Sequence, residues 1–400
     1  MKRIILLASM LFFSGTLLIA QSDSALNNVY FNSAEKLLMT KGNLKIGGYG
    51  GVHYNQPLSS ETRENGKLDV HRFIMMMGYQ FNDRTQFVTE LEFEHVKEIY
   101  VEQAFLQYKL NDFMNLRAGL ILTPMGIVNE YHEPTVYHGV ERPVLDHDIV
   151  PSTWREIGVG FYGLVLPASL KYQVYMMNGF NSFDGEAQIG GDDGMRGGRQ
   201  KAAESFVSAP NLAAKVEYFG IRGLNLGLAG YFGKTQSTLY DGVAKDDDIA
   251  MATADSSVVG ISMLGADARY SMKGWKVAAQ LYYTSLSNTE EYNEFTANKG
   301  GGDLGSSMFG YYVDLGYNVL RNTQSEKQLI PFVRYSNFDT HRSVPANIAA
   351  NNAYQRDIIT TGLSLYLDKG AVLKADMQFV KDGASDEYST TFNAGFGIMF

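Results

Sequence analysis

The C-terminal residues 388–400, YSTTFNAGFGIMF, alternate between two kinds of side chain. One face of this segment carries Tyr388, Thr390, Phe392, Ala394, Phe396, Ile398 and Phe400, and the other face carries Ser389, Thr391, Asn393, Gly395, Gly397 and Met399. A period of two residues indicates a β-strand with one apolar face and one small or polar face. The same alternation appears at 371–381 and at 275–283, so the pattern is not confined to the end of the chain.

Sixteen segments of this kind can be placed along the chain. The predicted strands are 43–54, 67–81, 86–95, 98–110, 115–122, 155–165, 169–179, 210–219, 223–234, 258–270, 275–285, 306–319, 328–338, 354–367, 370–381 and 387–400. Short turns such as Asn82–Asp83 and Lys273–Gly274 alternate with long loops such as 123–154 and 180–209. A soluble sandwich would cover its apolar faces with a second sheet. Short periplasmic turns and long extracellular loops instead predict an all-β fold, a transmembrane antiparallel β-barrel of about 16 strands.

The composition excludes several other classes of protein. The 400 residues include 41 Gly, 25 Tyr and 23 Phe but no Cys, which excludes disulfide scaffolds, thiolate metal sites and a thiol nucleophile. The net charge of -9 argues against a nucleic acid as partner, because proteins that bind phosphate backbones are usually basic. The mean hydropathy of -0.16 excludes a bundle of apolar membrane helices.

The N-terminus has the features of an export signal. Lys2 and Arg3 precede the apolar stretch 4–19, and Ala20–Gln21 is a plausible cleavage point. We therefore expect residues 1–20 to be a cleaved signal peptide. Export of a β-barrel predicts the outer membrane of a Gram-negative bacterium as its location, in contact with lipid and lipopolysaccharide.

The remaining chain divides into a short leading segment and the barrel. Residues 21–42 form a periplasmic or lumenal segment, and residues 43–400 form the barrel. Within the leading segment, residues 33–39 (SAEKLLM) favour a short helix with Ser33 as its N-cap. The sequence leaves open whether this helix lies in the periplasm or inside the barrel.

Charged residues on the polar faces of the strands would line the interior. By parity, the inward-facing basic residues are Lys45, Arg72, Lys109, Arg117, Lys171, Lys215, Arg269, Lys276, Arg334 and Lys374. The inward-facing acidic residues are Glu90, Glu92, Glu94, Glu156, Glu217, Asp267, Asp314 and Asp376. The wall is therefore nearly neutral, and the acidic excess falls in loops, with Asp192, Asp193, Asp246, Asp247, Asp248, Glu290 and Glu291 as candidates. This distribution predicts a water-filled pore with weak ion preference and an acidic outer mouth.

Loop 123–154 is the strongest candidate for a constriction. It lacks period-two patterning, it contains several stiffening prolines, and a structureless loop of this length is usually functional. The predicted pore-lining residues on this loop are Glu130, Glu133, Glu141, Arg142, Asp146 and Asp148. Those on the wall are Arg117, Lys171, Lys215, Arg269, Arg334 and Lys374. Loop carboxylates opposite wall cations would set a transverse field, unless the loop packs on the mouth with its charges solvated or paired.

Other chemistry is less well supported by the residue pattern. His132, His138, Asp146 and His147 are residue types that bind zinc, but their spacing fits no closed motif. No Gly-x-Ser-x-Gly elbow is present, and no Ser–His pair is forced together. We therefore expect no enzyme activity, no metal site and no cofactor.

Three groups of segments resemble the phosphate-selective porin O and P family. They are Val70–Phe73 with Gly78–Phe81 and Glu90–Glu92, Leu116–Leu120 with Thr123–Gly126, and Glu141–Pro143. Their order and spacing carry the resemblance, which extends over about 43–400. The resemblance implies a sixteen-stranded, usually trimeric, passive channel with the loop after the fifth strand folded inside. In one respect the sequence departs from members selective for phosphate, since a ladder of Arg residues with a Lys cluster is not apparent.

Together these features predict a porin that lets small hydrated solutes or ions, anions such as phosphate among them, diffuse passively through a pore narrowed by loop 123–154. A homotrimer is expected from the resemblance. The alternative is a non-conducting surface barrel that acts as an adhesin or receptor through its long outer loops. Sixteen strands favour the channel, because they enclose more space than side chains can fill.

Overall fold

The computed structural model describes residues 28–58 and 62–400, and within these residues sixteen antiparallel strands close into a barrel. The strands are β1 (Leu44–Pro57), β2 (Lys67–Gln80), β3 (Thr85–Glu94), β4 (Glu98–Asn111), β5 (Met114–Leu122), β6 (Arg155–Val165), β7 (Leu170–Met177), β8 (Asn211–Ile221), β9 (Leu224–Lys234), β10 (Gly260–Met272), β11 (Trp275–Ser287), β12 (Ser307–Tyr317), β13 (Gln328–Ser343), β14 (Gln355–Asp368), β15 (Ala371–Asp382) and β16 (Ser389–Met399). The predicted fold class is confirmed. The predicted signal peptide, residues 1–20, lies outside the described residues.

The C-terminal strand closes the barrel. Strand β16 pairs with β15 on one side and with β1 on the other, so that Phe396 lies opposite both Leu373 and Val52. Closure satisfies the backbone groups around the whole circumference, as a sheet in contact with lipid requires. On the inner face, the side-chain amide of Asn393 donates to the carboxylate of Asp376 at 2.8 Å.

The barrel is apolar outside and polar inside. Leu373 is 45% exposed on the outer surface, whereas its neighbour Lys374 is only 6% exposed. Most of the residues predicted by parity to face inward are likewise buried. Apolar side chains outside and charged side chains inside are expected when the outer surface meets lipid and the inner surface meets water. The prediction for Lys109 is wrong. Its side chain is exposed beside Asp112 at a turn, because alternation gives the direction of a side chain but not its depth along the barrel.

The connections at the two ends of the barrel differ as predicted. One end, called the turn end, has tight connections such as 273–274 and 369–370, and the other, called the loop end, carries the long segments. There, strands Asn181–Asp184, Glu186–Ala187 and Gln236–Ser237 form a small separate sheet.

Five α-helices of the described residues are short. They are α1 (Ser33–Met39), α2 (Ile127–Glu130), α3 (Leu145–Asp148), α4 (Asp248–Ser256) and α5 (Thr289–Thr296). None of the helices in the described ranges combines the length and the apolarity needed to cross a bilayer.

Helix α1 lies inside the barrel at the turn end. Its N-cap is Asn32 and not the predicted Ser33, because the Asn32 side chain accepts the backbone N–H of Glu35 at 2.9 Å while the Glu35 carboxylate accepts the backbone N–H of Asn32. This reciprocal capping box fixes the start of the helix. Lys171 of β7 donates to Glu35 at 2.9 Å, and Lys45 of β1 donates to the Leu38 carbonyl, so the helix is fastened to distant strands.

Candidate functional site

The segment 123–154, here called the lumen loop, folds into the barrel between β5 and β6 and has the predicted bounds. Asn129 ties its two ends together. The Asn129 side-chain amide donates to the carbonyls of Thr123 and Trp154 at 2.8 and 3.1 Å, and its oxygen accepts the Trp154 N–H at 2.7 Å. With its ends fixed, the loop turns inward and not away from the barrel, and most of its residues are buried.

The lumen loop contacts strands on widely separated sides of the barrel. Its polar contacts with the wall join Glu130 to Lys215 of β8 at 2.5 Å, His132 to Tyr49 of β1 at 2.6 Å, His138 to Asp314 of β12 at 2.7 Å, the Val140 N–H to Asp376 of β15 at 2.7 Å, and Asp146 to Gln280 of β11 at 2.7 Å. Because β1 and β8 lie nearly half a circumference apart, the loop spans the lumen.

Buried cations on β7, β8 and β10 hold the first part of the loop. Here Lys171, Lys215 and Arg269 interleave with four carboxylates, and we call these seven residues the paired cluster. Its ion pairs are Lys171 with Glu35 at 2.9 Å and Glu217 at 3.2 Å, Lys215 with Glu130 at 2.5 Å and Asp267 at 3.2 Å, and Arg269 with Glu217. Each cation therefore has a carboxylate partner within the lumen.

Two cations on the opposite part of the wall hold the second half of the loop. Arg334 of β13 pairs with Asp314 at 2.8 Å and donates to the Glu141 carbonyl at 3.2 Å. Lys374 of β15 donates to the Tyr137 carbonyl at 2.8 Å. These two side chains bind loop backbone, so their role in positioning the loop does not depend on a loop carboxylate.

The lumen loop separates two cavities. The inner cavity, of about 330 Å³, faces the turn end and includes Tyr30, Lys276 and Arg334 in its lining. The outer cavity, of about 380 Å³, faces the loop end and includes Arg142 and Arg356. Pro143 lines both cavities.

Arg142, beside Pro143, forms no ion pair among the described residues. Its Nε and one terminal nitrogen are buried without a hydrogen-bond partner among the described residues. The neighbouring Glu141 carboxylate, by contrast, accepts from His53 at 3.0 Å and from Asn55 at 2.9 Å. The boundary therefore holds one guanidinium with two nitrogens that no described residue satisfies.

Asp146 is buried in the loop without a direct cationic partner. Burial raises the pKa of its carboxyl group to about 7, and the hydrogen bond from the Gln280 amide opposes this shift. The carboxyl group therefore changes charge near neutral pH, and it does so beside the boundary between the cavities.

The structure brings eight of the predicted site residues into two groups. Glu130, Lys171, Lys215 and Arg269 belong to the paired cluster, while Glu141, Arg142, Arg334 and Lys374 lie around the second half of the loop. The remaining four are Arg117, Glu133, Asp146 and Asp148. Asp146 and Asp148 line the outer cavity, whereas Glu133 is buried away from both groups.

Arg117 is buried in the wall, where its guanidinium donates to Gln107 at 2.7 Å and Tyr175 at 3.3 Å and lies over the Phe105 ring. These partners belong to β4 and β7 and not to the lumen loop. Asp148 is 3.3 Å from Arg356 of β14. The four residues considered together for zinc are separated, since His138 contacts Asp314, His147 contacts Asp148, and His132 faces Tyr49.

Sequence parity missed Glu102, which is fully buried in the lumen. A bulge between β3 and β4 pairs Glu90 with Gln103 and Leu91 with Val101, so Glu102 is an extra residue and points inward together with Gln103. The adjacent polar pair Glu102–Gln103 interrupts the alternation of β4, and this interruption is the signal that would have located the bulge.

No protein-family model matches this sequence. A protein from Aquifex aeolicus (strain VF5), described as an uncharacterized protein, is 29% identical over 369 residues, which cover 89% of this chain and 79% of that protein.

Solved outer-membrane porins share the fold at low sequence identity. OmpF from Salmonella typhi, solved in complex with daunomycin, aligns with a TM-score of 0.56 and 14% identity over 90% of this chain and 98% of that chain. DcaP, an outer membrane channel of Acinetobacter baumannii, aligns with a TM-score of 0.55 and 12% identity over 90% of this chain and 99% of that chain. An anion-selective porin from Comamonas acidovorans aligns with a TM-score of 0.54 and 13% identity over 90% of this chain and 100% of that chain. The chain therefore has the fold of outer-membrane porins.

Proposed function

We propose that this protein is an outer-membrane channel through which small hydrated solutes and ions diffuse passively, with its narrowest point at Pro143. The observation that carries the proposal is that Pro143 lines both cavities, so the lumen loop forms the boundary between the two ends of the lumen. An apolar exterior and a polar interior suit such a role. The fold shared with solved porins and the resemblance to a porin family support it. We further propose removal of residues 1–20 after export, which the N-terminal sequence supports, and assembly as a homotrimer, which the resemblance to a porin family supports.

The channel would have a weak ion preference. Lys171, Lys215 and Arg269 are neutralised by carboxylates of the paired cluster, so these cations contribute little net field. Arg142 differs because it lines the outer cavity beside Pro143 and forms no ion pair with a carboxylate among the described residues. Anions are therefore the first solutes to test, and the resemblance to the phosphate-selective porin O and P family makes phosphate the first among them.

The experiment is planar-bilayer recording of the purified, detergent-folded protein in a salt gradient. We expect stepwise conductance and a reversal potential that shifts towards cation preference in Arg142→Glu. A charge near a narrow, low-dielectric passage acts strongly on passing ions, which is the physical reason for the shift.

Lys109→Glu is the matched control, because it makes the same change of charge at an exposed turn. Its reversal potential should equal that of the unmodified protein. A folded barrel that never conducts would contradict the proposal, and equal shifts in the two variants would contradict the position of the narrowest point.

A second candidate function is surface binding through the outer loops. The loops form a packed structure in which Ser182 donates to the carbonyls of Gln236 at 3.1 Å and Ser257 at 2.7 Å, while the Tyr292 hydroxyl donates to the Ser182 carbonyl at 2.8 Å. An ordered outer surface is what an adhesin or receptor needs. The same recordings separate the two functions, because a barrel that serves only for surface binding needs no conductance.

A further inference from the structure

The wall formed by β2, β3 and β4 carries buried carboxylates that outnumber the cations beside them. The group comprises Glu90, Glu92 and Glu102 with Arg72 from the wall, and His132 and Glu133 from the lumen loop; we call it the acidic cluster. Arg72 pairs with Glu92 at 2.8 Å and is 4.0 Å from Glu102. The four carboxylates of the cluster therefore share one guanidinium and one imidazole, and Glu90 also accepts a hydrogen bond from the Ser33 hydroxyl at 3.2 Å.

Two of these carboxylates are unusual in having no hydrogen bond. Glu102 is 0% exposed and Glu133 is 1% exposed, and all four of their carboxylate oxygens lack a hydrogen-bond partner in the part of the chain that the structure describes. A buried, unpaired carboxylate is strongly unfavourable, so proteins pair such groups or use them to coordinate a metal ion.

The side chains of Glu90, Glu102 and His132 are arranged like a set of metal ligands. One ligand atom from each lies within 4.8 Å of the other two, and all three residues are buried. The Glu102 carboxylate is 3.6 Å from His132 Nε2. Rotations of the side chains would bring these atoms to the bond lengths of about 2.0–2.2 Å that Zn²⁺ forms with imidazole and carboxylate.

The tautomer of His132 fits metal binding. Its Nδ1 lies 2.9 Å from the carbonyl oxygen of Asn129, which can only accept, so Nδ1 carries the proton and donates. Nε2 faces Glu102 and the Tyr49 hydroxyl, which lies at 2.6 Å, and in the neutral imidazole this nitrogen carries the lone pair that a metal ion needs. A histidine ligand whose other ring nitrogen donates to a backbone carbonyl is the usual arrangement in metal sites.

We propose that Glu90, Glu102 and His132 bind a divalent first-row transition metal ion, which fastens the lumen loop to β3 and β4. One imidazole with two carboxylates selects Zn²⁺, Mn²⁺, Fe²⁺ or Co²⁺ over Mg²⁺ and Ca²⁺, which prefer all-oxygen sites. The ion would compensate the excess negative charge of the acidic cluster. The inference concerns binding alone and does not depend on whether the barrel conducts.

A second group of possible ligands provides an internal control. Asp69, His71 and His95 also lie close together, but they are partly exposed, and the Asp69 carboxylate already contacts His95 Nδ1 at 2.6 Å. Because this group has its own partners, it does not carry the proposal, and it reports any nonspecific uptake by surface histidines.

The experiment is metal analysis of the untagged, detergent-folded full chain after chelation and dialysis against Zn²⁺, with Co²⁺ absorption as a second readout. We expect about one ion per chain, with affinity at least about tenfold weaker in Glu102→Gln and in His132→Gln. His95→Gln should keep the ion. Tyr49→Phe should bind at least as well as the unmodified chain, because it removes a hydrogen bond that competes for Nε2.

Folding of each variant is checked by the gel shift between unheated and heated samples, so loss of metal is not confused with loss of the barrel. Absence of a retained ion in the unmodified folded chain would overturn the proposal and leave a His132–Glu102 ion pair as the explanation of the cluster. Loss of the ion in His95→Gln with retention in Glu102→Gln would also overturn it, in favour of the outer group.

Discussion

The paired cluster and the acidic cluster are two parts of one lumen with opposite electrostatic designs. In the paired cluster, Glu217 lies between Lys171 at 3.2 Å and Arg269, so each charge is compensated by its neighbours. In the acidic cluster, Glu102 lies 3.6 Å from the His132 imidazole nitrogen Nε2 and 4.0 Å from the Arg72 guanidinium. Both carboxylates are buried, so solvent does not explain the difference.

The difference shows that burial of charge serves two purposes in this barrel. Where cation and carboxylate alternate, the network fixes the lumen loop and helix α1 to the wall. Where carboxylates outnumber cations, as in the acidic cluster, part of the buried negative charge is not compensated by the wall. The two clusters therefore should respond differently to the same chemical change.

The largest expected effect is in the paired cluster. Lys215→Met leaves Glu130 and Asp267 buried without their cation, and breaking a buried pair in this way costs about 3–5 kcal/mol. The free energy of unfolding, measured by urea titration in lipid vesicles, should fall by that amount. Lys109→Met, at an exposed ion pair, should change it by less than about 0.5 kcal/mol. Equal losses would show that the paired cluster does not stabilise the barrel.

The sharpest test of the contrast applies one substitution to both clusters. Glu217→Gln removes the partner of two cations and should destabilise the barrel by about 2–4 kcal/mol. Glu102→Gln removes the charge of a buried carboxylate that has no hydrogen-bond partner among the described residues, and it should stabilise the chelated, metal-free protein by about 1–2 kcal/mol. Urea titrations of both variants in the presence of a chelator give the sign of each change in the free energy of unfolding. The same sign in both variants would remove the distinction between the clusters.

Asp146 is the intermediate case, because its partner is the neutral amide of Gln280. Burial raises the pKa of its carboxyl group from the ordinary 3.8 to about 7, so the folded state keeps a proton that the unfolded state has lost. Its stabilising contribution is complete below the unfolded pKa and is lost as the pH rises towards 7, by at most about 1.4 kcal/mol per pH unit. Asp146→Asn should flatten the pH dependence of stability over this interval. An unchanged pH profile would contradict the raised pKa.

Much of the fold followed from the sequence because alternation is a local property. Each strand carries its own period-two pattern, and the bounds of the lumen loop were predicted because the pattern stops at Leu122 and resumes at Arg155. Lys171, Lys215 and Arg269 were placed in the lumen for the same reason.

The alternation of side chains along a strand does not predict how deep a residue lies in the barrel, where a bulge occurs, or which residue a side chain contacts. The position of Lys109 at the rim depends on how far the strand extends, and Glu102 was missed because a single bulge reverses the parity of the residues beyond it. The cap of helix α1 depends on backbone geometry that makes Asn32 a better acceptor than Ser33. The pairing of Glu130 with Lys215 joins residues 85 positions apart, and such a contact is set by the closed barrel alone.

The most direct test of the central claim uses the absence of cysteine from the chain. Pro143→Cys introduces a single thiol at the residue that lines both cavities, and Lys109→Cys introduces one at the exposed turn. The measurement is single-channel conductance before and after addition of a bulky thiol reagent from either side. If Pro143 marks the narrowest point, the reagent should block most of the current in Pro143→Cys from both sides and leave Lys109→Cys unchanged. An unchanged current in a labelled Pro143→Cys channel would contradict the account.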